Sequence, residues 1–270
     1  MIRTYEKTHP WIRFQFNTKK LDHHIWLLLG EAKSKCEHIQ GAPLLPETMQ
    51  QLQNIYLAKG ALATTAIEGN TLTESEVEKR IKGELTLPPS KEYLGQEIDN
   101  VVELVNRIGA QLLTENASDR LSVEDIKYYN RIILKDLPLN EGVIPGQIRN
   151  YSVGVATYRA APPEDCEYLL QKYVTWLNDE FVFPPDEKVI YGILKAIIAH
   201  LYFVWIHPFG DGNGRTARLI EFQILLSSGV PSVAAHLLSN HYNATRTRYY
   251  QMLDKTSKHE DNISEFVFYA

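Results

Sequence analysis

Cysteine is scarce in this chain: two residues, Cys36 and Cys166, stand far apart in 270. No Cys-x-x-Cys pair or zinc-type spacing exists, which excludes a disulfide-stapled scaffold and a cysteine-built redox centre and fits reduced thiols. The nine histidines supply no zinc-like pair either, since His23 and His24 are adjacent and point apart on a helix. A basic excess is also missing. The 28 Lys and Arg are outnumbered by 33 Asp and Glu, and the net charge of −5 argues against nucleic acid as the partner. The N-terminus, MIRTYEKTHPWIRFQFN, has no apolar signal core, so a cytoplasmic location is expected. The uncharged run between Lys195 and Asp211 reads as too short to cross a bilayer, and no membrane partner is expected. Internal repeats and low-complexity tracts are absent as well.

What is present is an ordinary globular composition, 44% hydrophobic and 23% charged, in a chain long enough for one large domain or two small ones. Its centre is the stretch AIIAHLYFVWIHPFGDGNGRTARLI, Ala196 to Ile220. Val189, Ile190, Ile193, Leu194, Ile197, Ile198, Leu201, Tyr202, Val204 and Trp205 cover nearly every face of a helix that starts after Pro184-Pro185, so that helix belongs in the core. Pro208 and Phe209 stop it and leave His207 at the mouth of a rigid element. Gly210, Gly212 and Gly214, with Asn213, let successive backbone N–H groups curl round an anion. A second helix is predicted from about Asn213, with its positive dipole end at the same place. Arg215 and Arg218, three apart, are expected to project together as a guanidinium clamp. Asp211 is the single carboxylate among these donors, and a bridging Mg²⁺ accounts for its presence beside phosphate. His207, neutral at physiological pH, is free to act as a general base. A Walker loop is excluded: GDGNGRT is one residue short, has Arg for Lys and follows a helix.

The twelve residues HPFGDGNGRTAR resemble the Fic family motif HPFx[D/E]GN[G/K]RxxR, with every fixed position met from His207 to Arg218. The resemblance implies transfer of AMP from ATP to a Ser, Thr or Tyr hydroxyl of a target protein. By it, His207 would take the hydroxyl proton. Asp211 would hold Mg²⁺ on the α- and β-phosphates, Gly212, Asn213 and Gly214 would cradle them, and Arg215 and Arg218 would bind the outer phosphates. Glycine at 214 follows the AMP-transferring form; the Doc branch has lysine there and transfers phosphate.

Upstream, a long helix is predicted from about Glu47 to Glu68, ending at Gly69-Asn70. Thr64 and Glu68 share one of its faces, and a carboxylate in a helix's last turn opposes the macrodipole by roughly 0.3–1 kcal/mol. TTAIEGN resembles the family's inhibitory pattern [S/T]xxxE[G/N], which implies that Glu68 pairs with Arg218, misplaces the γ-phosphate and holds the resting enzyme inactive. LTLPPS marks the expected boundary between an inhibitory segment, 1–87, and a catalytic core, 88–270.

Smaller elements follow from local signals. Residues 1–18 read as an irregular arm anchored by Trp11, Phe14 and Phe16, and helical periodicity runs from Lys19 to His38. Thr73 with Glu76, Ser90, and Ser122 with Asp125 read as helix starts. GQIRNYSVGVATYRAAPP reads as a hairpin or extended loop whose edge could pair with a peptide. Its position matches the family's flap, which implies that Val153 and Gly154 lie near the nucleotide and that the target binds there as an extended segment. The last helix is expected from Asn240 to Lys258, with Tyr249 and Tyr250 where relatives place a tyrosine pair beside adenine.

These expectations describe an all-α Fic bundle with a short β-hairpin flap. Two other functions share it: removal of AMP from a modified target, with Glu68 orienting water, and a nucleotide-responsive interaction module without turnover. The chain itself belongs among the expected targets, and a second copy among the partners, although no stripe of residues marks an interface.

Overall fold

The computed structural model describes residues 2–112, 120–155, 158–257 and 263–270. Helices dominate it: α1 (Thr4–Thr8), α2 (His23–Gly41), α3 (Pro46–Ile67), α4 (Glu74–Ile81), α5 (Glu92–Leu112) and α6 (Val123–Ile133) precede a two-stranded hairpin of β1 (Gly154–Val155) and β2 (Tyr158–Arg159). Then come α7 (Pro163–Thr175), α8 (Lys188–Ile206), α9 (Asn213–Ser227), α10 (Ser232–Ala235), α11 (Leu237–Ala244), α12 (Arg246–Thr256) and α13 (Ile263–Tyr269). The hairpin is antiparallel, with Gly154 opposite Arg159 and Val155 opposite Tyr158. The fold is therefore the expected helical bundle carrying a short hairpin.

The middle of the bundle is the pair α8 and α9, joined by the glycine loop. In α8 the run Ala196 to Phe203 is wholly buried, and α9 buries every residue from Arg215 to Leu225. The helical segment Pro185–Ile206 starts well before the uncharged run and, at 22 residues with an 18-residue window of mean hydropathy 1.9, is long and apolar enough to cross a membrane by length and composition, which the uncharged run alone did not indicate. In the fold 67% of that window is buried, as befits a core helix.

Around this pair the flanking helices follow their sequence signals. Small residues along one side of α3, Ala58, Gly60, Ala61, Ala63 and Thr64 among them, let its backbone settle deep into the core. Reciprocal caps start α4 and α6: Thr73 with Glu76, and Ser122 with Asp125. Leu94, Ile98, Val101, Leu104 and Ile108 form the inward stripe of α5. The expected boundary after residue 87 falls in the extended link between α4 and α5, yet Ala61, Ile67, Leu94 and Ile220 belong to one hydrophobic core.

Four local expectations need correction. The arm is not wholly irregular, since α1 forms there and Arg3 reaches Asp165 at 3.1 Å. Asp22, not Lys19, starts α2, by accepting from the His24 N–H at 2.7 Å. A 3₁₀ turn at Pro89–Lys91 delays α5 to Glu92, so Ser90 is not its cap. The helix expected from Asn240 to Lys258 is broken at Thr245, whose φ and ψ of −115° and 34° leave the helical region and whose hydroxyl bonds the His241 carbonyl and the Tyr269 hydroxyl. Lys258 lies outside the described residues.

Candidate active site

The site grows out of the α8–α9 turn. His207 ends α8 in a left-handed conformation, φ 50° and ψ 60°, while its N–H still closes on the Phe203 carbonyl at 2.9 Å. Asn213 buckles the loop from within: its Oδ1 accepts from the Phe209 N–H at 3.0 Å, and its Nδ2 donates to the Phe209 carbonyl at 2.8 Å. Gly212, at φ 74°, supplies the turn into α9 that a side chain would strain. From α6, Asn130 donates to the Asp211 carbonyl at 2.9 Å and accepts from the Gly146 N–H at 2.9 Å, pinning the loop from below.

His207, Gly210, Asp211, Gly212, Asn213 and Gly214 line a cavity of about 410 Å³ together with Glu68, Val153, Gly154, Val204, Tyr249, Tyr250 and Leu253. Segments from α3, the hairpin, the glycine loop and α12 thus converge on one space. A similar volume beneath the N-terminal arm, about 440 Å³, mixes Glu6 and Glu180 with Arg13 and Lys172 and has no glycine loop. The α12 tyrosines differ in role: Tyr249 is buried with its hydroxyl on His200 Nε2 at 2.8 Å, whereas Tyr250 is half-exposed and donates to the Ile67 carbonyl at the end of α3.

Charge beside the cavity is arranged around two buried arginines. Arg218 is buried; its Nε donates to the Thr64 hydroxyl at 2.7 Å, and its Nη2 to the Thr64 carbonyl at 2.9 Å and to Glu68 Oε1 at 2.5 Å. The Glu68 carboxylate lies directly over Gly214, where any Cβ would collide with it. Burial on its own would raise the pKa of Glu68, but the charge and hydrogen bond of Arg218 outweigh it, and the group is held below the usual carboxylate range. One side of Glu68 remains open to the cavity, its side chain 31% exposed. Arg215 instead turns to α5, donating to Glu97 Oε1 at 2.7 Å and only distantly to Asp211 at 3.5 Å. Burial and the charge of nearby Arg149 pull the pKa of the His207 imidazole down to about 4, and His207 lines the cavity.

The expected clamp is therefore split. Three residues leave the two side chains about 60° apart round the helix, and each is drawn to a different carboxylate, Arg215 to Glu97 on α5 and Arg218 to Glu68 at the end of α3. Each still keeps one buried nitrogen without a partner among the described residues, Arg215 Nε and Arg218 Nη1. Arg215, Arg218 and Thr64 do not line the cavity, Arg218 lying behind Glu68, while Val153, Gly154, Glu68, Tyr249, Tyr250, His207, Asp211, Gly212, Asn213 and Gly214 do. Sequence reasoning missed Glu97, Asn70 and Asn130. Asn70 donates to Glu97 Oε2 and to the Leu94 carbonyl, both at 2.9 Å, and so moors the end of α3 to α5. The available signal was a polar residue inside an apolar stripe: Glu97 beside Leu94 and Ile98, Asn130 beside Ile126 and Ile133.

Among the described residues Asp211 is the only cavity-lining carboxylate besides Glu68. Its Oδ1 accepts from the Gly212 N–H at 2.5 Å. Among the described residues no cluster of three or more His, Cys, Asp or Glu forms a self-sufficient metal cage. A magnesium ion bound through one carboxylate and substrate phosphates fits such a donor set.

Comparison with known proteins places this geometry. The sequence profile described as Fic/DOC family matches residues 120–225. The chain is 29% identical over 233 residues to protein adenylyltransferase fic-1 of Caenorhabditis elegans, covering 86% of this chain and 42% of that protein. It is 28% identical over 195 residues to protein adenylyltransferase Fic of Nematostella vectensis, covering 72% of this chain and 42% of that one. The chain thus spans well under half the length of these relatives. Among solved structures, a Fic family protein from Desulfovibrio desulfuricans G20 superposes with a TM-score of 0.72 at 20% identity, over 94% of this chain and 72% of that one. Fic-1 from C. elegans superposes with a TM-score of 0.69 at 25% identity, over 91% of this chain and 68% of that one. The motif, the cavity built around it and these likenesses together make residues 120–225 of this chain similar to the Fic/DOC family.

Proposed function

We propose that this chain transfers AMP from ATP to a Ser, Thr or Tyr hydroxyl of a target protein and that Glu68 restrains it. One observation carries the reading: the chain's own carboxylate rests over Gly214 at the start of α9 and on Arg218, beside two buried guanidinium nitrogens, Arg215 Nε and Arg218 Nη1, that have no partner among the described residues. A helix N-terminus ringed by glycine amides and guanidinium groups is suited to phosphate, and Glu68 stands where a phosphate oxygen would. The relatives' printed names, protein adenylyltransferase, agree with this chemistry.

In the transfer, a neutral ring nitrogen of His207 takes the proton of the target hydroxyl as its oxygen attacks the α-phosphorus. Pyrophosphate leaves, and the proton is passed on to solvent. Gly212, Asn213 and Gly214 offer their backbone amides to the phosphates, and Arg218, once freed of Glu68, neutralises the outer ones. Asp211 would hold Mg²⁺, which supplies charge neutralisation on the departing pyrophosphate when bound. Tyr250 and Leu253 offer flat and apolar surface for the base, and the hairpin offers main chain to an extended target segment.

The test is label transfer from α-labelled ATP. Glu68→Gly is expected to raise it at least about tenfold, and adding His207→Ala to abolish it; equal labelling with and without Glu68 removes the restraint from the proposal. The ionised Glu68 carboxylate also shares the cavity with His207, the one observation that favours the hydrolytic reading. Release of AMP from a pre-modified protein, lost in Glu68→Gly, would establish that direction instead.

A further inference from the structure

Arg149 is a buried cation that enters the site described above only through its charge on His207. It lies in the link between α6 and β1, 4% exposed, and has no carboxylate partner among the described residues. Its guanidinium is spent on main-chain carbonyls. Nε donates to the His207 carbonyl at 2.8 Å, Nη1 to that of Tyr151 at 2.7 Å, and Nη2 to that of Ala161 at 2.6 Å with a longer contact of 3.4 Å to Ile206. Main chain reinforces the link: the Arg149 N–H donates to the Pro208 carbonyl at 3.0 Å, and Ile148 bridges Phe209.

The four acceptors have a pattern. The Ile206 and His207 carbonyls belong to the C-terminal end of α8, where carbonyls lack helical partners and the dipole is negative. The Tyr151 and Ala161 carbonyls bracket the hairpin, which the Ala160 N–H closes on the Val153 carbonyl at 3.2 Å. One side chain therefore grips both feet of the hairpin and the turn that carries the imidazole. His207 is a non-glycine residue in a left-handed conformation, which persists only where surroundings over-determine it. The planar fork of arginine can bind several carbonyls in fixed directions at once, which the single ammonium of lysine cannot. A neutral donor would serve a purely structural tie with less desolvation, whereas a cation here also disfavours a second positive charge on the adjoining imidazole.

We infer that Arg149 is a positioning residue of this site: it ties His207 and the hairpin into one unit, so that a hydroxyl presented along the hairpin meets the imidazole in register. The inference rests on the transfer reading above. It predicts an effect on turnover and not on nucleotide binding, because no bond of Arg149 reaches the cradle of Gly212 to Arg218.

In the Glu68→Gly protein, Arg149→Met keeps much of the volume without a donor, and Arg149→Lys keeps the charge without the fork. The expected result is a fall in kcat of about 100-fold for Arg149→Met and a smaller one for Arg149→Lys, with KM for ATP within about threefold of the parent. Hydrogen exchange is expected to quicken together at 152–155, 158–161 and 206–209 while α3 and α9 keep their protection. An unchanged kcat, or exchange quickened uniformly across the chain, overturns the inference. Should Arg149→Met fail to fold, the same two readouts on Arg149→Lys decide. Should the Glu68→Gly parent show no transfer that depends on His207, the transfer reading has failed, and the exchange pattern alone judges the tie.

Discussion

The imidazole of His207 carries the argument at the scale of single residues. Burial and Arg149 hold it at about 4, so the free protein keeps it neutral throughout the physiological range. Glu68 acts on it in the opposite direction, so removing that carboxylate leaves the ring neutral to still lower pH. The kcat/KM of Glu68→Gly, which reports the free enzyme, is therefore expected to stay level between about pH 6 and 8 once ionisation of ATP itself is allowed for. A titration in that profile centred near 6.5, lost in no other variant, would contradict the assignment. This residue was legible in the sequence because the loop is local: Asn213 closes on Phe209 four positions away, and the glycine turn lies between. Glu97 and Arg149 were not, because their partners stand 118 and 58 positions off and no spacing encodes such contacts.

Among the elements, α3 presents the clearest case of a helix fixed by what it lacks. Gly60 faces the His236 ring so closely that any Cβ would overlap it, and that ring stacks on Phe222 of α9 with centroids 4.6 Å apart. Gly60→Ala is therefore expected to destabilise the protein by about 1–3 kcal/mol, as overpacking does, read as a lower midpoint in urea. Below the melting range it is not expected to raise AMP transfer, since α3 is part of the core and not a cover over the cavity. A stable but constitutively active Gly60→Ala would show that the helix detaches. The span of α3 was readable within a residue from its flanking proline and Gly69-Asn70, because those are local stop and start signals. The break at Thr245 was not, because it depends on Tyr269 lying alongside.

For the molecule as a whole, buried histidines set the response to acid. Burial holds His236, like His207, at about 4, and lowers His9 as well. A histidine with its folded pKa below the unfolded one binds fewer protons when folded. The stability it permits is complete above about 6.5 and declines as pH falls toward the folded value. His236 alone accounts for a loss of about 2 kcal/mol by roughly pH 5. The thermal midpoint should drop between pH 7 and 5, and His236→Phe, which keeps the stacked ring and cannot protonate, should flatten that drop. An identical acid slope in the variant would assign the effect elsewhere. The bundle was legible at this scale from apolar periodicity, while the shared core across residue 87 was not, since a proline-rich link looks the same whether or not its two sides pack together.

The seating of α3 has a final consequence. With its small-residue side sunk among α5, α9 and α11, and Asn70 moored to α5, the helix is held while the Glu68 side chain at its end stays partly open to the cavity. On the proposed reading, a trigger need only swing one side chain about its own torsions, as a latch lifts without the door frame stirring. Activation of this kind would leave the overall dimensions of the particle unchanged.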